Sequence, residues 1–267
     1  MKICEIKDEN KDILTGYLYY YENSETYIVE LAPGLSYDTV PIFFDAFLQK
    51  GQLTVGPEWS RRFIEARVVP RDRQNLKSIL REAGLQKYDM FKLLMLSKGR
   101  CSQDDCSIAP VSDIKDWMIL RKKGWVTGAA ALDDFRLYIQ CQDNKSYIVD
   151  LKKILASSRT LKILLERPDD FAALKITGNG RVISWGEKMT LLYTDLLTCA
   201  EELPFDPEDM KKIIKGTIVD VNDLCYISGT SRQYINKQLQ KNNIKEFRKC
   251  GTSNLYLYSQ VQILAEQ

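Results

Sequence analysis

The sequence predicts an α+β protein: two small mixed domains of β-hairpins and helices, followed by a C-terminal helix-turn-helix with a β-wing. Three observations carry this. Aromatic and β-branched runs come in pairs around polar turns. Between them, apolar residues recur at three-to-four spacing, the period of a helix face. Near the C-terminus, two short helical patterns flank a glycine within a basic stretch.

Residues 1–112 read as the first domain. Tyr17 to Tyr21 and Tyr27 to Leu31 flank Asn23-Ser24 and form a hairpin. Helical periodicity then covers Val40 to Gln49, Glu58 to Ala66, Asp72 to Ala83 and Tyr88 to Ser97. Pro57 suits a first helical turn, and Gly84 and Gly99 suit helix ends. Residues 113–131 read as a connector, with a short amphipathic piece from Ile114 to Leu120, then Gly124, Gly128 and an alanine run. Trp117 and Trp125 are expected to dock it onto a domain.

Residues 132–203 read as a second small α+β domain. Phe135 to Gln140 and Ser146 to Leu151 form a hairpin around Asp143-Asn144-Lys145. Leu174 to Thr177 and Arg181 to Trp185 form another around Gly178-Asn179-Gly180, whose Asn-Gly is a tight-turn signal. That glycine pair lacks the spacing, the lysine and the following helix of a phosphate loop. Glu187 to Cys199 is expected to be helical. An internal echo links Tyr27-Ile28-Val29-Glu30-Leu31 to Tyr147-Ile148-Val149-Asp150-Leu151, which two related sheets would explain, as would chance among strand sequences.

The strand ending in Tyr147 to Leu151, with Pro168-Asp169-Asp170-Phe171, Ile176, Gly178, Trp185 and Leu191-Leu192-Tyr193, resembles a bacterial family of unknown function, DUF two-four-four-two. The resemblance spans Leu132 to Leu197 and implies a compact α+β fold without established catalysis. It suggests an interaction or antitoxin-like role, and the acids usual around the family's final helix are thinner here.

Residues 204–267 carry the functional expectation. Pro204 and Pro207 restrict a bridge, and Asp209 to Lys215 is a basic helical turn. Leu224 and Ile227 would give a first short helix its apolar face, with Cys225 small enough for close approach. Gly229 tolerates the positive φ of a sharp turn, and Ser231 can cap the next helix. Ile235 and Leu239 then form a buried i, i+4 stripe. Arg232, Gln233, Asn236, Lys237 and Gln240 lie away from that stripe and suit base edges and phosphates. Ile244 to Lys249 and Leu255 to Tyr258 read as a hairpin whose Arg248 and Lys249 would reach phosphates. Val261 to Leu264 would close the small core.

The run from Ser228 to Lys237 is similar to the helix-turn-helix of phage repressors and excisionase-like proteins. That resemblance implies that Ser231, Arg232, Gln233, Asn236 and Lys237 face DNA. Thr230 stands where an apolar residue is usual.

Composition bounds the alternatives. The formal net charge of +2 hides nine basic and three acidic residues between Lys211 and Cys250, a local +6 against −4 elsewhere. That is the footprint of a polyanion binder. The chain has no histidine, which removes His-based acid–base catalysis and Ser-His or Cys-His nucleophiles. Seven scattered cysteines without paired spacing suit a reducing compartment and no metal site. The acidic pairs Asp104-Asp105, Asp133-Asp134 and Asp169-Asp170 read as turns rather than a metal cluster. Met1 to Asp12 is charged, unlike a secretion signal, and no apolar run approaches the ~20 residues of a membrane span.

The expectation is therefore a cytoplasmic, non-enzymatic protein without cofactor. It would bind double-stranded DNA as a homodimer, its front domains dimerising, sensing an effector or holding a protein partner. The alternative is an antitoxin-like or scaffold protein whose C-terminal module autoregulates its operon.

Overall fold

The computed structural model describes residues 1–186 and 188–265 and divides the chain into two compact units, Met1–Glu202 and Leu203–Gln267. The architecture is mixed α+β, with four antiparallel sheets.

The first unit is built on a central sheet of five strands: β1 (Lys2–Asp8), β2 (Ile13–Tyr21), β3 (Thr26–Leu31), β4 (Thr54–Val55) and β5 (Cys106–Pro110), in the order β4-β3-β2-β1-β5. The expected first hairpin is β2–β3, in register from Gly16–Leu31 to Tyr21–Thr26. Gly16 is required there, because a Cβ would stand 2.2 Å from the Glu30 carbonyl oxygen. Strands β1 and β5 fall outside the expected elements. The Lys-Ile-Cys-Glu-Ile-Lys-Asp run nonetheless alternates, with Cys4 and Ile6 buried between solvated neighbours.

Alternation sends β2 and β3 side chains to two separate cores. Leu18, Tyr27, Val29 and Leu31 meet helices α1 (Asp45–Gln49), α2 (Pro57–Glu65), α3 (Leu76–Glu82) and α4 (Met90–Leu96) on one face, where Phe44, Phe63, Phe91 and Leu94 are buried. Tyr17, Tyr19 and Ile28 point the other way, into a core shared with residues 118–196.

That second core explains why residues 1–202 cohere. The stretch expected to be a connector contains α5 (Asp116–Lys122) and β6 (Val126–Leu132), and it buries Met118, Trp125 and Val126. β6 leads a four-stranded sheet with β7 (Arg136–Cys141), β8 (Ser146–Asp150) and, beyond two hairpin strands, a last strand Ala200–Glu202, in the order last strand–β8–β7–β6. Helices α6 (Lys152–Ser157) and α7 (Pro168–Ala172) follow β8. Then β9 (Lys175–Thr177), β10 (Val182–Ser184) and β11 (Thr190–Leu192) form a small third sheet. Gly178-Asn179-Gly180 does lie at the β9–β10 turn, with Asn179 left-handed at φ 54°.

The helix expected over 187–199 is instead strand β11 and the short helix α8 (Tyr193–Leu197), with Glu187 outside the described residues. The run Thr190-Leu191-Leu192 pairs with β10, Leu191 opposite Ile183, before the chain coils. A short apolar run carries no period of its own, so pairing decided it.

The two segments of this unit are also joined by buried charge. Glu30 and Arg181 are both 0% exposed, and Arg181 Nε donates to Glu30 Oε1 at 2.5 Å. Arg121 Nη1 and Thr54 Oγ1 donate to Oε2 at 3.0 and 2.8 Å. Arg181 Nη1 also donates to the Gly178 carbonyl at 3.1 Å and to the Tyr21 hydroxyl. The guanidinium lies 3.5 Å from the Trp125 ring centroid and 4.0 Å from that of Tyr19. Trp125 thus docks its stretch as expected, with an arginine between it and the central sheet.

Among the described residues no helix is long and apolar enough to cross a membrane.

Candidate nucleic-acid interface

The second unit begins with α9 (Pro207–Thr217). Pro207 occupies its first turn, and Asp206 caps it by accepting from Asp209 N at 2.9 Å. The chain then runs as β12, the strand Ala200–Glu202 already met being counted in that place, so the next strand, Ile218–Val219, is β13; it pairs with β15 (Ser253–Leu257).

Helix α10 (Val221–Ser228) starts on a reciprocal cap. Asp220 accepts from Asn222 N and Asp223 N at 2.7 and 2.9 Å, and Asp223 accepts from Asp220 N at 2.9 Å. Its inner face is Val221 and Leu224, with Cys225 packed beside them. Ile227, expected on that face, is 45% exposed. Helical spacing from Leu224 allows either Val221 or Ile227, and Val221 is the one the core covers.

The turn that follows is the expected one. Gly229 ends α10 at φ 67°, a conformation open to glycine at little cost. Ser231 caps α11 (Arg232–Lys241), accepting from Tyr234 N at 3.3 Å. Ser231 Oγ is thereby engaged with its own helix.

Helix α11 buries Ile235 and Leu239 against Val219, Tyr256, Val261 and Leu264. Arg232, Gln233, Asn236, Lys237 and Gln240 are all exposed. At about 100° per residue these five occupy a single arc of roughly 140°, clear of the buried pair. The structure therefore brings together the side chains that the sequence singled out on this helix.

The hairpin after α11 is shorter than expected. β14 covers Arg248–Cys250 and pairs with β15, Arg248 opposite Leu255 and Lys249 opposite Asn254. Residues 244–247 are irregular apart from Phe247 N, which donates to the Leu255 carbonyl at 3.1 Å. Tyr258 opens helix α12 (Tyr258–Ala265) rather than ending a strand, and Val261 and Leu264 of that helix close the core.

Arg248 and Lys249 are exposed on this hairpin, Lys249 lying 3.5 Å from Glu246. Lys211 and Lys212 pair within α9 with Glu208 and Asp209 at 2.5 and 2.8 Å, so they add little net charge there. Arg232, Lys237, Lys241, Lys245 and Arg248 are exposed and make no ion pair among the described residues. Lys241 and Lys245 entered the sequence reading only as charge. Their place between α11 and the hairpin was legible in their spacing from Lys237 and Arg248.

Among the described residues no group of His, Cys, Asp or Glu is arranged to hold a metal ion. Asp104 instead pairs with the buried Arg67. No family model, curated protein or solved structure matches this chain.

Proposed function

We propose that this chain is a sequence-specific DNA-binding regulator, working as a homodimer, whose residues 204–267 form a winged helix-turn-helix. The outer arc of α11 carries the reading. Five exposed cationic or amide side chains stand on a helix anchored by Ile235 and Leu239. Arginine matches guanine edges bidentately, and asparagine or glutamine matches adenine. A major groove about 12 Å wide admits one helix with its side chains.

The surroundings of α11 support the same reading. Helix, strand, helix, glycine turn, helix and hairpin follow in the order a winged module requires. Unpaired cations at Lys241, Lys245 and Arg248 lie where backbone phosphates would run past the helix end. The start of α10, by contrast, carries the carboxylates of Asp220 and Asp223 and would repel phosphate. Phosphate contact thus falls to α11 and the hairpin.

Titration of the whole chain on a duplex selected from a random library tests the proposal. Affinity should fall steeply with salt, because cations that neutralise phosphates release counterions. A chain ending at Leu203 should lose binding; equal binding by that shortened chain overturns the reading. Arg232→Ala and Asn236→Ala should each cost about 1–3 kcal/mol at the preferred site and relax choice at one position. Lys249→Ala should weaken all sequences alike and lower the salt slope by about one unit. Ile235→Ala should instead melt the module, at about 2–5 kcal/mol, by emptying its core.

A further inference from the structure

We propose that the outer edge of β6 pairs antiparallel with the same edge of a second copy, making a homodimer through a sheet continuous across a twofold axis. β6 ends its four-stranded sheet, and among the described residues no other strand hydrogen-bonds to its outer side. Natural edges are commonly blunted by lysine, proline or a bulge. From Gly124 to Leu132 the sequence holds neither a charge nor a proline. The single register shift lies between Val126 and Gly128, leaving Gly128 to Leu132 in regular register with β7. Thr127, Ala130 and Leu132 are exposed along the strand.

The charges at its two ends identify the occupant. Lys123 precedes the uncharged stretch and Asp133 follows it; both are exposed, and neither makes an ion pair among the described residues. A strand with a cation at its start and an anion at its finish is self-complementary when laid antiparallel on itself. Centring the pair on Ala129 sets Val126 beside the partner's Leu132. Lys123 then lies about two residues, ~7 Å along the strand, from the partner's Asp133, within reach of a lysine side chain. The twofold repeats the pair, and opposite charges across paired strands attract. Small alanine side chains let the two edges approach without obstruction.

The proposal does not depend on DNA binding, since a dimer that binds no DNA would leave it standing. Light scattering and sedimentation of the full chain across a concentration series test it. The expected mass is twice 30.8 kDa. Lys123→Asp and Asp133→Lys should each weaken self-association by roughly tenfold, as attraction becomes repulsion at two symmetric contacts. The double variant should restore it, which a general loss of stability would not do. Ala130→Lys, checked for folding by circular dichroism, should give a monomer. A wild-type monomer at every concentration overturns the proposal. So does a dimer that ignores the charge reversals, since its interface then lies elsewhere.

Discussion

Two stretches of this chain have nearly the same sequence and opposite surroundings. Tyr27-Ile28-Val29-Glu30-Leu31 is strand β3, and Tyr147-Ile148-Val149-Asp150-Leu151 covers most of β8 and the residue after it. Each is the second strand of an antiparallel hairpin. In the first, Tyr27 is 3% exposed and the other four residues are 0% exposed. In the second, Val149 and Leu151 are buried, while Asp150 is exposed. The difference lies in what covers them. β3 has helices on one face and a second core on the other, whereas β8 presents its Ile148 and Asp150 face outward. An acid at the fourth place is solvated in one and sealed in the other, so the pattern within a strand does not report its second face.

The sharpest way to break this comparison is to neutralise the sealed acid. Glu30→Gln keeps the shape of the side chain but removes the charge facing Arg181 and Arg121. Two buried or nearly buried guanidinium groups then face each other without a carboxylate. Loss of one partner from such a cluster costs about 3–5 kcal/mol, to be read by urea unfolding. A loss below about 1 kcal/mol would mean that Glu30 is not sealed. Arg121→Met is the next step down. Arg121 is the outer cation of the cluster, with 13% of its side chain exposed, and Glu30 keeps Arg181 and Thr54 without it. The expected cost is about 1.5–3 kcal/mol, that of a hydrogen bond to a charged group.

Alkaline titration sharpens the same contrast from the neighbouring rings. Burial pushes the phenols of Tyr19 and Tyr193 up to about 12 from an ordinary value of 10.0, and charges at Arg181 and Glu30 act on both more weakly. A raised folded pKa means that the folded state holds the proton more tightly than the unfolded chain. The stability of the first unit is therefore complete below about pH 10 and falls as pH rises toward 12. Unfolding followed at pH 8, 10 and 12 checks this. Tyr193→Phe should make the fall shallower, and an unchanged profile in that variant removes Tyr193 from the account.

These features divide by how far their causes lie apart in the chain. Gly229, the Ser231 cap and the Ile235–Leu239 stripe are set within four residues of one another, and the sequence displays them directly. So is the exposed arc of α11, because helical period alone separates it from the stripe. Ile227 was misplaced because two residues had equal spacing from Leu224 and only tertiary cover chose between them. The buried cluster was invisible for the same reason at longer range. Arg181 follows a Gly-Asn-Gly turn and resembles any solvated hairpin arginine, yet its carboxylate partner is 151 residues away. The stretch 113–131 read as a connector because its glycines and alanines carry little period, while its burial comes from Met118 and Trp125 meeting a sheet formed earlier in the chain.

The smallest expected effect belongs to the other acid of the pair. Asp150 is exposed, stands opposite Arg136 on β7, and accepts from Lys152 N at 2.9 Å as α6 begins. Asp150→Asn keeps an oxygen for that backbone donor and removes only a charge that water already solvates. Surface changes of this kind stay within about 0.5 kcal/mol, so its urea midpoint should match that of the wild type while Glu30→Gln shifts far. The dimer proposed through β6 leaves this expectation in place, because edge pairing adds strands beside the sheet without covering the face that bears Asp150. A cost above about 2 kcal/mol would therefore mean that something seals that face as β3 is sealed, since only a buried, paired carboxylate loses so much on becoming an amide. The two strands would then be alike in burial as well as in sequence.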